Sequence, residues 1–234
     1  MSSTSQIFKP FQMVYKSRKH ILEMLEDRGY NVDDYKNYTE NEIRTLLIQH
    51  NSSKFETKSE IGPLDIVLEK ENIDTKKKEK IYVKYRLDEK FKKTENLLSQ
   101  ITDIYDTHIS KDDTLVILNL GRILTKPGTK DKTDEEFVKS FYLTKGYYIQ
   151  LFGLENFLFN VSRHQFVPKH TILNKSEIIK MAKQFNINNL RNLPIIKRNE
   201  PQAKYIGLRP KQVCKIMKKN VTSGETIEFR LCAN

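Results

Sequence analysis

Leu115-Val116-Ile117-Leu118 is the longest unbroken aliphatic run in this chain of 234 residues. A strand with one wet face alternates apolar and polar side chains. One that is apolar throughout needs cover on both faces, so this run predicts a strand covered on both sides. It also falls far short of the ~20 residues needed to cross a bilayer, and an integral membrane protein is not expected. The first twenty residues mix Phe8 and Val14 with Lys9, Lys16, Arg18 and Lys19, which predicts no secretory signal and a place inside a cell. With 38% hydrophobic, 30% charged and 10% aromatic residues, the composition suits a globular protein and excludes collagen-like, coiled-coil or wholly disordered chains.

Around that strand the pattern reads as an α/β domain. Phe11, Val14, Ile21, Leu22 and Leu25 recur at helical spacing, and Gly29 supplies a stop. Thr39-Glu40-Asn41-Glu42 forms a capping box ahead of Ile43, Leu46 and Leu47. Residues 64–69 and 81–85 are β-prone, and the charged stretch 70–80 between them reads as an exposed hairpin connection. Leu97, Leu98, Ile101, Ile104 and Tyr105 make a helical stripe before the aliphatic strand, long enough for a parallel crossover. Thr133-Asp134-Glu135-Glu136 opens a further helix that ends near Gly146.

The remainder has another grammar. Residues 157–166 are β-prone and stopped by Pro168, and Asn174-Lys175-Ser176-Glu177 caps a helix carrying Ile178, Ile179, Met181, Ala182 and Phe185. Pro201 opens a short helix that Gly207 ends, and segments 212–217 and 226–232 read as a closing β-hairpin. Two domains are therefore expected, 1–155 and 156–234. Charge divides them as sharply. From Val161 onward fifteen Lys or Arg face four acids, a balance of +11 that equals the net charge of the whole chain. A basic module of this kind suits nucleic acid or an acidic protein surface.

Few residues carry catalytic patterns. Two-metal nucleases of the PD-(D/E)xK type place an Asp at the start of one strand and a D/E-x-K triplet on the next, where two carboxylates hold Mg²⁺ and a lysine stabilises charge. Pro63-Leu64-Asp65 and Tyr82-Val83-Lys84 occupy comparable places, but the second carboxylate is replaced by Tyr82, and a neutral phenol is a poor ligand for a hard cation. His164 and His170 lack a matching ligand set, His20, His50 and His108 are dispersed, and no phosphate-cradling glycine loop occurs. Cys214 and Cys232 cannot form a disulfide framework and read as structural residues of the closing strands. No catalytic residue, metal or cofactor is expected.

The last third carries a specific resemblance. Val167-Pro168-Lys169-His170, Leu193-Pro194-Ile195-Ile196, Glu200-Pro201-Gln202-Ala203-Lys204-Tyr205-Ile206-Gly207-Leu208, Gln212-Val213-Cys214-Lys215-Ile216 and Phe229-Arg230-Leu231 resemble, in order, the small assembly-domain subunit of archaeal RNA polymerase. The same domain ends the fifth subunit shared by eukaryotic nuclear RNA polymerases. Arg18-Lys19 and Asp27-Arg28-Gly29-Tyr30 are similar to the first helix of the eukaryotic jaw domain, so the resemblance favours the eukaryotic type, including copies carried by large DNA viruses.

The resemblance implies a degenerate nuclease-like jaw followed by a small α/β assembly domain closed by a β-hairpin. It implies a non-catalytic subunit that docks on the largest polymerase subunit beside other subunits, with its jaw next to downstream duplex DNA and no membrane role. Such a protein would sit in the nucleus if cellular, and in a virion or cytoplasmic viral factory if viral. The partner-binding residues carried over are Pro168, Lys169, His170, Arg198, Pro201, Lys204, Tyr205, Arg209, Lys215 and Arg230, and the DNA-facing ones are Lys126, Lys130 and Lys132. The rival readings are a metal-dependent nuclease and a free-standing basic DNA-binding protein. Three departures from the family pattern stand out. Glu200 replaces the Asp before proline, with Asn199 expected to take over the cap. Lys211 replaces a glycine, so the turn into the strand is expected to differ. Lys218 stands where arginine is frequent.

Overall fold

The apolar stripe of Val14, Ile21, Met24 and Leu25 is fully buried and seats α1 (Ser3–Asp27) within the first of two compact units. A computed structural model describes residues 3–52, 61–72, 76–87, 95–120, 134–220 and 224–233. One unit comprises residues 1–71 and 78–159, and the other residues 72–77 and 160–234.

In the first unit, α2 (Asp33–Lys36) and α3 (Glu40–Ser52) precede a sheet of β1 (Ile66–Glu71), β2 (Lys78–Arg86), β3 (Thr114–Asn119) and β4 (Tyr148–Gly153) in that spatial order. β1 and β2 are antiparallel, and β3 runs parallel to both β2 and β4. The parallel steps need crossovers. They are supplied by α4 (Glu95–Thr107) and α5 (Asp134–Lys145). Every residue of β3 is buried, as the aliphatic run requires. One sheet face packs Tyr82, Leu115, Ile117 and Ile149 with Ile101 and Ile104 of α4 and Val138 and Phe141 of α5. On the other lies α1, where Arg18 meets Tyr85, while Arg28 just beyond the helix donates to Gln150 at 2.9 Å.

Two expectations from the sequence are corrected here. The connection between the first two strands is shorter than the charged stretch 70–80, because both strands run into it. The register explains this: it sets Glu69 opposite Lys80, Lys70 opposite Glu79 and Glu71 opposite Lys78, so the charges are cross-strand complements. Segment 157–166 is not a strand. Leu154–Phe157 and Val161–Arg163 are 3-10 turns, the second capped by the Asn160 side chain accepting from the Ser162 amide at 3.1 Å. Local side-chain bonding of this kind competes with strand pairing. The Thr39 capping box forms, with the Thr39 amide donating to Glu42 Oε2 at 2.6 Å, whereas Thr133 lies outside the described residues.

The second unit holds a sheet ordered β5 (Lys169–Ile172), β7 (Val213–Asn220), β8 (Gly224–Ala233) and β6 (Ile195–Lys197). β7 and β8 are the antiparallel closing hairpin. Helices cover both faces. α6 (Lys175–Gln184) packs Ile178 and Met181 on Val213, Phe229 and Leu231, and α7 (Pro201–Ile206) packs Ala203 and Ile206 on Cys214, Ile216 and Cys232. Asn174 and Glu177 form the complete capping box of α6. Gly207 ends α7 in the left-handed region at φ 72°, where a glycine bears no steric penalty.

Candidate functional site

The nuclease-like trio of the sequence is assembled in the first unit. Asp65 sits just before β1, Tyr82 and Lys84 share one face of β2, and the three side chains converge on Asp65 Oδ2. The Tyr82 hydroxyl donates to it at 2.8 Å, and Lys84 Nζ stands 3.9 Å away. The Gly62 amide donates to the same oxygen at 2.9 Å, and the Tyr85 amide donates to Oδ1 at 3.0 Å. An added Cβ at Gly62 would lie 3.0 Å from Oδ2, tighter than ordinary contact, so a side chain there would press on the carboxylate. The carboxylate is thus wrapped by donors and buried. Burial, the Asp65 charge and this hydrogen bond push the Tyr82 phenol far above the usual tyrosine range, so it stays a neutral donor. Among the described residues no group of three His, Cys, Asp or Glu is placed to hold a metal ion.

The partner-binding candidates of the second unit do not converge on one face. Side chains directly opposite across a ladder share a face. Thr171, Lys215 and Phe229 lie in one row, and Lys169, Met217 and Ile227 in the next but one, so Lys169 and Lys215 stand on the α6 face. His170 and Arg230 stand on the α7 face. His170 Nδ1 is 2.7 Å from the Pro168 carbonyl oxygen. Arg230 and Lys218 both pair with Glu228, which holds its carboxyl below the ordinary range. Pro201 opens α7, Lys204 and Tyr205 follow on it half-buried, and the Tyr205 hydroxyl accepts from Asn160 Nδ2 at 3.1 Å. The Arg209 amide donates to Gln212 Oε1 at 2.8 Å.

Arg198 departs from the expectation of a presented cation. It is only 5% exposed, and its amide continues the β6–β8 pairing by donating to Ala233 O at 3.2 Å. Asn199 does not take over the cap of α7: Glu200 is itself the N-cap, makes no side-chain cap bond, and accepts from the Lys197 amide instead. The turn at Lys211 keeps a glycine-like geometry, with φ 72° and its amide donating to Cys232 O at 2.9 Å. The expectation of a different turn is therefore corrected: the two-sided anchoring of the loop overrides the side chain. Lys126, Lys130 and Lys132 lie outside the described residues.

Charge-based reading misses the apolar part of the surface. Phe166 is 80% exposed, Ile195 59% and Ile227 48%. The alternation along β8 and the register of β6 put Ile195 and Ile227 on the same face as Lys169 and Lys215. Exposed apolar residues beside cations are common at protein interfaces. The 2-residue alternation of 226–231 is the signal in the sequence that points to Ile227.

The second unit is a small mixed α/β domain with a helix on each sheet face and a closing hairpin, and comparison with known proteins specifies its family. Residues 159–232 match the family model described as RNA polymerase Rpb5, C-terminal domain. "DNA-directed RNA polymerase subunit Rpo5" of Archaeoglobus fulgidus is 40% identical over 73 residues, 31% of this chain and 95% of that one. "DNA-directed RNA polymerases I, II, and III subunit RPABC1" of Caenorhabditis elegans is 25% identical over 219 residues, covering 93% of this chain and 94% of the relative. A Dictyostelium discoideum subunit of the same description is 36% identical over 84 residues, a match that spans 42% of its length. The chain belongs to the RNA polymerase subunit 5 family, the family of Rpb5 and Rpo5.

Proposed function

We propose that the chain is a non-catalytic subunit of a multisubunit DNA-directed RNA polymerase, and that residues 156–234 form the assembly domain that docks it on the largest subunit. One observation carries the reading: the C-terminal segment alone spans 95% of an archaeal polymerase subunit at 40% identity. The face bearing Lys169, Lys215, Ile195 and Ile227 supplies both cations and apolar area, which suits an acidic, partly apolar protein surface. The relatives' names, which refer to polymerases I, II and III, support a nuclear or other intracellular site of action.

Residues 1–155 would act as a jaw beside downstream duplex DNA, with Lys126, Lys130 and Lys132 adding phosphate contacts that carry no base preference. The jaw reads as a degenerate nuclease-like scaffold. Its support is the meeting of Asp65, Tyr82 and Lys84 in the places such enzymes use, with a phenol where the second carboxylate would stand. Binding of the full chain to the purified largest subunit tests the docking role. Lys169→Glu with Lys215→Glu should weaken it at least about ten-fold, the equivalent of ~1.4 kcal/mol. Undiminished binding of that double variant would reject this face as the contact.

A further inference from the structure

The first unit contains a cavity of about 610 Å³ between α1, α2 and the segment leading into α3. Its size is within the ~300–1,000 Å³ of pockets that hold ligands. Arg18 lines it while only 3% exposed. The guanidinium lies 5.2 Å from the Tyr38 ring centroid and 5.9 Å from that of Tyr35, and donates through one terminal nitrogen to Leu64 O at 3.1 Å. Its Nε has no acceptor among the described residues. That nitrogen is itself enclosed, so what the buried guanidinium lends the cavity is its charge, which has no carboxylate partner among the described residues and favours an anion nearby.

The rest of the lining narrows the class of ligand. Lys16 and Lys19 are exposed at the cavity and have no ion-pair partner among the described residues, whereas Lys36 is held by Glu26 at 2.9 Å and His20 by Glu23 at 3.1 Å. Leu22, Ile43 and Leu158 add apolar wall, and Tyr15 and Tyr38 remain 41% and 38% exposed. The spare groups are therefore donors and cations beside apolar surface. A nucleic acid strand is disfavoured because Glu23 and Glu26 line the same cavity and would meet its successive phosphates. A peptide can set one carboxylate on Lys16 or Lys19 near the Arg18 charge, an apolar side chain on the tyrosines, and neutral backbone past the glutamates.

We propose that the Arg18 cavity is a docking site for an acidic peptide segment of a partner protein that carries an apolar side chain next to Asp or Glu. The site belongs to the first unit alone and does not depend on where the second unit docks. Selection of a random dodecapeptide library on the full-length chain tests it, with affinities of the enriched peptides measured by fluorescence anisotropy. Enriched sequences should place Asp or Glu beside Phe, Leu or Trp. They should bind Lys16→Glu with Lys19→Glu at least about ten-fold more weakly. They should also lose affinity on Tyr38→Ser and be unaffected by Lys180→Glu on α6. The two lysine substitutions alter exposed side chains only, so Arg18 keeps its packing in that double variant. Failure to enrich any peptide, equal binding to the Lys16/Lys19 double variant, or displacement by an oligothymidylate of the same length at higher affinity would overturn the proposal.

Discussion

Tyr82 donates its hydroxyl to Oδ2 of Asp65 at 2.8 Å, with both residues buried between the start of β1 and the middle of β2. The carboxylate therefore spends its lone pairs on a phenol and on the amides of Gly62 and Tyr85. In a nuclease the corresponding oxygens would face a metal ion. Here they tie the loop before β1 to its neighbouring strand.

Tyr82→Phe removes one donor from a buried anion while conserving the ring's packing. Loss of such a charge-assisted bond costs about 1–3 kcal/mol, so the urea midpoint of the full chain should fall with an unchanged slope. An unaltered midpoint would mean that the bond is not structural.

Lys211→Gly should raise stability by about 0.5–1 kcal/mol, because the left-handed backbone at φ 72° penalises any Cβ by more than the glycine costs in chain entropy. Lys211→Ala keeps the Cβ and should leave stability within about 0.5 kcal/mol of the parent. Equal effects of the two substitutions in thermal melts would contradict this.

Burial pushes the thiol of Cys214 up to about 11 and that of Cys232 to about 12. Both are raised, so the unfolded chain loses these protons first and binds fewer of them in alkali. Stability is then fully present below the ordinary thiol value of about 8.5 and is lost as pH climbs through the folded values. Denaturation midpoints should hold to about pH 8 and decline above it, less steeply in Cys214→Ala with Cys232→Ala. At pH 8 an aromatic disulfide reagent should titrate neither thiol until denaturant is added, and prompt reaction of the native chain would contradict the burial.

If Lys126, Lys130 and Lys132 touch phosphates, replacing all three with serine in the assembled polymerase should flatten the slope of log affinity against log salt for downstream duplex by up to about 2.7. An unchanged slope would remove these lysines from the DNA path.

Local signals in the sequence suffice where local bonds decide the structure. The Thr39 and Asn174 caps, the ends of helices at Gly29, Gly146 and Gly207, and the parallel crossover into the aliphatic strand all follow from short-range chemistry. What escapes such reading depends on distant partners. Segment 157–166 has strand propensity but is taken up by turns around Asn160, and the hairpin extends because Glu69 meets Lys80 across the strands. Arg198 reads as a surface cation until the fold buries it, and Lys211 accepts a strained backbone because Cys232 anchors the turn. The Asp65–Tyr82–Lys84 trio is visible as a pattern, while the donor role of the phenol requires the geometry.

Isolation of a tagged full-length chain from its native source, followed by mass spectrometric identification of the proteins recovered with it in stoichiometric amounts, tests the central claim most directly. The account predicts the large subunits of a DNA-dependent RNA polymerase and transcription activity in the same fraction. Recovery of the chain alone or with no transcribing enzyme, or Asp65-dependent DNA cleavage by the purified chain with Mg²⁺, would contradict it.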